Sequence, residues 1–335
     1  MTTFEMRFIA LRCKDTIAPT GTIAQGVGAP QINSDGEEYE KKYGSNKTSM
    51  RLFSTVEENR RGKGPCFLKT SEISKKEEEE LLKAYLNMAP AQTLKWIETN
   101  NLPSFRDVEI EGTEPYITGG HTGSGYWVDT NRAATIKGLY AAGDVAGGSP
   151  QKYVTGCFAE AEIAAFSALK YINDVKEEAV DSSEVENKLK EVKSFLKEES
   201  GIYGIEEIEE AMQKIMDEYV GGIYDGYSYN LKKLQIAKSK IDELLELSKA
   251  LKAKDMHELM LIFEVIDRLF VCKVLIRHLE ERKETRWRAF QENKDYPKKD
   301  DKNFLKFINS IYQDGQIKII FRSLVKRDDI YEHHN

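Results

Sequence analysis

The side chains best suited to chemistry sit in glycine-rich company. In LYAAGDVAGG (139–148), a strand-like run of Leu139–Ala142 enters Gly143, then Asp144, then Gly147 and Gly148. A glycine after a strand lets backbone approach a ligand closely, and an acidic residue there accepts hydrogen bonds from sugar hydroxyls. In GGHTGSG (119–125), His121 is framed by glycines and can face a pocket that no neighbour fills. Near the start, MRFIALRCKD (6–15) carries Arg7 and Arg12, a side-chain type that suits sulfate and phosphate oxygens. As surface residues the two arginines would mean nothing. A sugar-contacting loop of this kind ordinarily has an earlier partner, a Gly-x-Gly-x-x-Gly turn that holds a pyrophosphate. The chain has no such turn; GGHTGSG lacks the spacing and is followed by strand-like residues, not a helix.

Composition narrows the class. At 40% hydrophobic and 31% charged residues the chain reads as globular, and its net charge of −7 disfavours a general nucleic-acid binder. No apolar run approaches the length of a membrane span, and MTTFEMRFIA lacks the pattern of a signal peptide. Cys13, Cys66, Cys157 and Cys272 are scattered, with no Cys-x-x-Cys, so no zinc or iron–sulfur motif is evident and a reducing cytoplasm is the simplest setting.

The elements that must position these residues follow from pattern. Residues 1–70 read as strands and loops, with FEMRFIALR as a strand, a turn at Asp35-Gly36, and a short strand in KGPCFLKT. Ser74 before a Glu-rich turn marks a helix N-cap, the helix ends near Pro90, and AQTLKWIETNN makes a second helix. Residues 116–145 return to strand character in YITGG, GYWVDT and GLYAAGDV. A helix over about Gly156–Ile172, small and apolar, is expected to be buried against a sheet. From Glu206 to Arg282 the chain reads as nearly all helix, with Leu259, Phe263, Ile266, Phe270 and Val274 at three- and four-residue spacing, which fits an antiparallel bundle. The last 50 residues mix short strands and turns. The Lys/Glu runs at 75–80 and 184–199 read as solvated helix faces, and Trp96 and Trp127 as core.

The stretch 119–165 carries more than a generic pattern. GGHTGSGYWVD, KGLYAAGDVAGG and YVTGCFAEAEIAA resemble the fumarate reductase/succinate dehydrogenase flavoprotein family, and its adenylylsulfate reductase branch most of all. FEMRFIALRCKD, LNMAPAQTLKWI, IMDEYVGGI, KDMHELM, RHLEERKETRW and DYP extend the resemblance to about Pro297. The resemblance implies an α+β fold. Residues 1–115 would be part of a capping, substrate-side domain, and 116–172 the last strands and helix of an FAD-binding α/β domain. Residues 173–285 would be the helical bundle and 286–335 a C-terminal extension. The family's Gly-x-Gly-x-x-Gly lies in an N-terminal half, so the chain is expected to be a C-terminal portion that needs that half, on the same or a separate chain, to hold FAD.

The resemblance also assigns roles. Asp144, beside Gly143, would bond the ribityl chain. The helix opening at Gly156, with the amides of Cys157 and Phe158 as donors, would face the flavin's pyrimidine edge, where a helix N-terminus stabilises negative charge. Relatives carry serine at Cys157; a thiol is a weaker partner, so a backbone role is assigned there. His121 would bind the anionic substrate and, as imidazolium, donate a proton. Lys152 stands where fumarate reductases have a substrate arginine, and a point charge suits dicarboxylates less well than a fork. GVGAPQINSDGEEY (26–39) has no arginine between Gly26 and Ile32, where fumarate reductases keep their proton donor. The adenylylsulfate reductase branch also lacks that motif, and the resemblance implies instead a substrate arginine in the segment matching MRFIALRCKD, which is Arg12, with Arg7 second. The implied reaction is two-electron reduction of adenylylsulfate to sulfite and AMP through a flavin N5–sulfite adduct, or its reverse, with electrons from an iron–sulfur subunit or ferredoxin. The alternatives are another paralogue of the family with a different substrate, or a non-catalytic interaction module. Arg286 reads as a structural ion-pair residue.

Overall fold

A computed structural model describes residues 2–14, 16, 18, 27–44, 48–117, 122–148, 153–176, 181–197, 201–326 and 329–333. The N-terminal part is built on a four-stranded antiparallel sheet of β1 (Leu11–Cys13), β2 (Gln31–Ile32), β3 (Cys66–Leu68) and β4 (Val108–Gly112), ordered β1-β4-β3-β2. Leu11 pairs with Gly112 and Cys13 with Ile110, so alternate residues of β1 fall on a core of Ile9, Leu11, Cys66, Leu68 and Ile110. Only Leu11–Cys13 of the expected first strand forms; Thr2 makes isolated bridges to Gly125 and Asn309, and Phe8 one to Tyr116.

Helix α1 (Thr48–Arg60) closes this core with Leu52 and Val56, although residues 1–70 read as strands and loops. The reason is chemical. Its buried face is largely polar, comprising Arg51, Ser54, Thr55 and Glu58, so it shows no apolar helical period. Helix α2 (Lys75–Met88) starts where expected. The Ser74 hydroxyl accepts from the Glu77 amide at 3.3 Å, and the Glu77 carboxylate accepts from the Ser74 amide at 2.7 Å. Helix α3 (Pro90–Glu98) follows, with Trp96 edge-on to Tyr85 at 5.2 Å in the core.

Residues 122–148 are not the strands that their apolar residues suggest. They form loops joined by single bridges, Tyr126 with Ala146 and Ala133 with Tyr140, and one tight helical turn at Gly143–Val145. Their glycines bend the chain too often for a ladder. Helix α4 (Val154–Asp174) is two residues longer at each end than expected, and its surroundings differ from those its composition implies. Phe158, Phe166, Leu169 and Ile172 are 75%, 66%, 58% and 67% exposed, and Glu160 is its buried residue.

Helices α5 (Ser182–Lys193), α6 (Ile205–Tyr219), α7 (Leu231–Ser248) and α8 (Met256–Glu281) make the bundle. Ile208, Met212 and Ile215 meet Leu234, Ala237, Ile241 and Leu244, and both meet Leu259, Ile262, Val265 and Leu269. Of the expected α8 stripe, Leu259 and Val274 are buried, while Phe263, Ile266 and Phe270 are only partly buried and their neighbours Ile262, Val265 and Leu269 take the deepest places. Asn230 and Asp255 cap α7 and α8, each accepting an amide hydrogen bond at 2.9 Å. A parallel pair, β5 (Ser228–Tyr229) and β6 (Glu292–Asn293), and a short helix α9 (Asp301–Phe304) lead to the hairpin of β7 (Lys306–Gln313) and β8 (Gln316–Ser323). Asp314 and Gly315 turn it with φ of 53° and 74°, the paired positive values of a two-residue hairpin.

The amino terminus ties these parts together. Phe4 lies in the bundle core. Glu5, fully buried, accepts from Arg282 at 2.5 Å and contacts His278 Nδ1 at 3.1 Å, while His278 Nε2 meets the Ser310 hydroxyl at 2.8 Å. Glu284 joins Arg282 at 2.8 Å and Arg286 at 2.6 Å, and Arg286 also reaches Asp301 at 2.8 Å, the structural role expected of it.

Candidate functional site

The site is assembled from two crossing loops and a helix start. The 125–126 and 145–147 backbones pass at hydrogen-bond distance: Tyr126 N–H donates to Val145 O, and Gly147 N–H to Tyr126 O, both at 2.7 Å. A Cβ on Gly125 would lie 2.4 Å from Val145 O, and one on Gly147 would lie 2.8 Å from Gly125 O. Both positions therefore need glycine. The crossing presents the Gly143–Val145 turn, in which Gly143 has φ +71° and is buried while Asp144 is exposed.

Gly143 also admits α4. Its missing Cβ would sit 3.2 Å from Cys157 Sγ, so the first turns of the helix rest against the loop. Tyr153 supplies no side-chain cap, and the Cys157 amide already donates to Tyr153 O at 3.0 Å. The amides without intrahelical acceptors are those of Val154, Thr155 and Gly156. Of the expected set, the Cys157 amide is taken up within the helix and Gly156 lies in its first turn, because the helix starts two residues earlier than expected. Phe158 instead projects outward. Sequence reading missed one clamp altogether. Arg132, with φ +63°, pairs with buried Glu160 of α4 at 2.7 Å, fixing the helix to the 129–133 turn.

The arginine candidates have different environments. Arg12 on β1 faces Glu111 of β4 at 3.0 Å and Glu114 at 3.4 Å, so its charge is already paired. Glu114 is the replaceable partner, since its side chain is 68% exposed. Arg7 is buried, its Nε donates to Gln291 Oε1 at 3.4 Å, and burial pushes its guanidinium down to about 10. Its Nη2 is buried with no hydrogen-bond partner among the described residues. His121 and Lys152 lie outside the described residues. Trp127, expected in the core, is only half-buried and packs on partners no sequence signal marked: Tyr331 stacks on it at 6.0 Å and Arg322 lies 4.4 Å from its ring centre. Among the described residues, no helix is long and apolar enough to cross a membrane.

The site is thus a glycine loop with an exposed aspartate, set against the start of a long helix, in a chain that also carries an α-helical bundle. Residues 209–329 match the family described as fumarate reductase flavoprotein C-term. Along its whole length the chain resembles adenylylsulfate reductase alpha subunits. It is 27% identical to the subunit from Megalodesulfovibrio gigas over 374 aligned positions, covering 93% of this chain and 56% of that protein. Two solved structures superpose with a TM-score of 0.86 at 28% identity, covering 99% of this chain and 61% of theirs. They are an adenosine-5-phosphosulfate reductase in complex with sulfite, as a covalent adduct, and the adenylylsulfate reductase of Archaeoglobus fulgidus. An E. coli quinol fumarate reductase shares the fold, with a TM-score of 0.78 at 18% identity. The chain thus spans 56% to 61% of the length of the first relatives it matches.

Proposed function

We propose that this chain supplies the capping wall and the flavin-proximal loop and helix of an FAD-dependent oxidoreductase that interconverts adenylylsulfate with sulfite and AMP. The observation that carries the reading is the 0.86 TM-score match over 99% of the chain to adenylylsulfate reductases. In this reading residues 1–115 are capping structure, 116–172 close the FAD-binding domain, 173–285 are the bundle and 286–335 an extension. The residues present fit one end of the cofactor. Asp144 takes ribityl hydroxyls beside Gly143, and the first-turn amides through Gly156 take the pyrimidine edge, with the helix dipole favouring negative charge there. They do not fit its pyrophosphate, for which the 335 residues hold no Gly-x-Gly-x-x-Gly turn. That contact comes, in this proposal, from further polypeptide, on the same chain or another. When bound, the flavin supplies the two-electron chemistry. The chain's own residues handle the anion. Arg12 receives sulfate or phosphate oxygens as Glu114 swings into solvent, His121 binds the anion and holds a transferable proton, and Lys152 adds a point charge. An iron–sulfur partner in the cytoplasm delivers electrons.

Fumarate chemistry is the weaker reading, because no arginine stands between Gly26 and Ile32. A free-standing interaction module is weaker still, because α4 keeps Phe158, Phe166, Leu169 and Ile172 more than half exposed. The test is to co-express the chain with a family-type dinucleotide-binding segment. Flavin absorbance near 450 nm in the purified complex, with adenylylsulfate-dependent sulfite release, supports the proposal. A stable complex that takes up no flavin overturns it. Flavin uptake without turnover of adenylylsulfate overturns the substrate.

A further inference from the structure

The last described residues do not trail off. Residues 329–333 lie along the 127–132 turn. Thr130 N–H donates to Tyr331 O at 2.9 Å, and Tyr331 N–H donates to Thr130 Oγ1 at 2.9 Å. His333 N–H donates to Asp129 Oδ2 at 3.1 Å, and the His333 ring nitrogen Nε2 donates to Trp127 O at 3.2 Å. Asn131 Nδ2 reaches Glu332 at 3.2 Å. Side chains repeat the pairing. The Tyr331 ring stacks on Trp127 with 14° between planes, the His333 ring meets Trp127 edge-on at 5.1 Å, and Arg322 of β8 lies 4.4 Å from the Trp127 ring centre. Backbone, ring and charge contacts tie Tyr331–His333 to one short segment.

What that segment holds is the candidate site. The other oxygen of Asp129, Oδ1, accepts from the amides of Asn131 and Ala133, each at 2.9 Å, which closes the turn. Arg132 in the turn then acts in two directions. Its carbonyl accepts from Ala141 N–H at 3.0 Å, two residues before Gly143, and its guanidinium holds Glu160 of α4 at 2.7 Å. Tail, turn, loop and helix thus form one continuous set of bonds.

We propose that Tyr331–His333 is a clasp that keeps the 129–146 loop and the start of α4 in register. Removing the clasp leaves the fold of the bundle intact and loosens the loop. Tyr331 and His333 are positioning residues in this scheme and touch no ligand. The bundle core of α6, α7 and α8 has its own contacts and serves as the internal reference.

The test is hydrogen–deuterium exchange on the full chain, on a chain ending at Val325, and on Tyr331→Ala and Tyr331→Phe. The clasp predicts at least ten-fold faster exchange in peptides spanning 129–146 for the truncation and for Tyr331→Ala, with exchange in α6–α8 unchanged. Tyr331→Phe keeps the ring and the backbone bonds and should behave as the parent chain. Unchanged exchange at 129–146 on truncation overturns the proposal. Should truncation also loosen the bundle, Tyr331→Ala decides alone: loosening confined to 129–146 supports the clasp, and equal loosening throughout overturns it. Flavin has no part in this readout, so its outcome is separate from that of the proposed function.

Discussion

Gly125→Ala is the sharpest perturbation of the site. Gly125 has φ +151°, in a region that essentially only glycine occupies, and its added Cβ would meet Val145 O at 2.4 Å and Gly147 N at 2.6 Å. Those are backbone atoms, so no side chain can step aside. The loops must part by about 1 Å to reach an ordinary contact, and three hydrogen bonds at 2.7 Å are then lost or stretched: Thr2 N–H to Gly125 O, Tyr126 N–H to Val145 O and Gly147 N–H to Tyr126 O. A disfavoured backbone conformation costs about 1–3 kcal/mol and each lost bond about 1 kcal/mol, so the crossing is weakened by about 4–6 kcal/mol. That is comparable to the stability of a small domain, but it acts locally, because the bundle core shares no residue with the crossing. Hydrogen exchange over 122–148, with near-ultraviolet circular dichroism for Trp127, measures it. Gly204→Ala is the control, since its φ is −81° and its nearest new neighbour is at 3.7 Å. The variant should lose protection across the crossing while the bundle keeps its own. Parent-like exchange in Gly125→Ala would refute the claim that the glycines are there for close backbone approach. In a reconstituted holoenzyme the same change should abolish flavin uptake.

Three further outcomes follow from the geometry. Glu58 is fully buried; burial alone would raise its carboxyl, but bonds from Asn33, Tyr43 and Lys42 prevail and hold it at about 2, below the ordinary 4.5. Its stabilisation is complete above pH 4.5 and is lost as pH falls toward 2, so urea titrations across that window should show a steeper acid loss in the parent chain than in Glu58→Gln. Glu5→Gln leaves Arg282 and His278 facing a neutral amide in the interior and should cost about 3–5 kcal/mol in chemical denaturation; a loss below 1 kcal/mol would mean the network is incidental. Arg12→Lys retains charge but not the fork, so in the reconstituted enzyme it should lower kcat/KM for adenylylsulfate at least ten-fold with little change in melting temperature; an unchanged kcat/KM would remove Arg12 from the substrate site.

The legible parts of the fold are those where local chemistry and tertiary environment agree. Ser74 and Glu77 cap a helix by bonds that need nothing beyond four residues, and the bundle helices advertise a face that meets a like face. Helix α1 was hidden because its inner face bonds rather than packs: Arg51 pairs with Glu40 at 2.9 Å and Glu58 takes Asn33 at 2.9 Å, and such partners leave no apolar period. The 116–145 segment misled in the opposite direction. Its β-favouring residues sit between glycines that make close crossings, and close crossings replace the ladder.

At the site, residue types were legible and contacts were not. Gly143, Asp144 and Gly156 could be picked out because a glycine loop before a helix has a backbone meaning. Arg12 could be named as a cation but not as one already paired with Glu111, a partner 99 residues away. The tail on Trp127 is likewise a contact across about 200 residues, with no local signal. Helix α4 is the instructive case. A helix apolar around much of its circumference reads as buried, yet Val154, Phe158, Phe166, Leu169 and Ile172 are 58% to 75% exposed. Covering one such side chain gains about 1.5–3 kcal/mol, so five together favour a covered state strongly. The composition of α4 therefore fits a neighbour beyond the contacts that the described residues make, and its N-terminal turn rests on Gly143. Whatever covers the helix also borders the loop. That coincidence ties the exposed face to the proposed flavin site, and it predicts that a segment able to seat flavin on Asp144 will bury Phe158 in the same step.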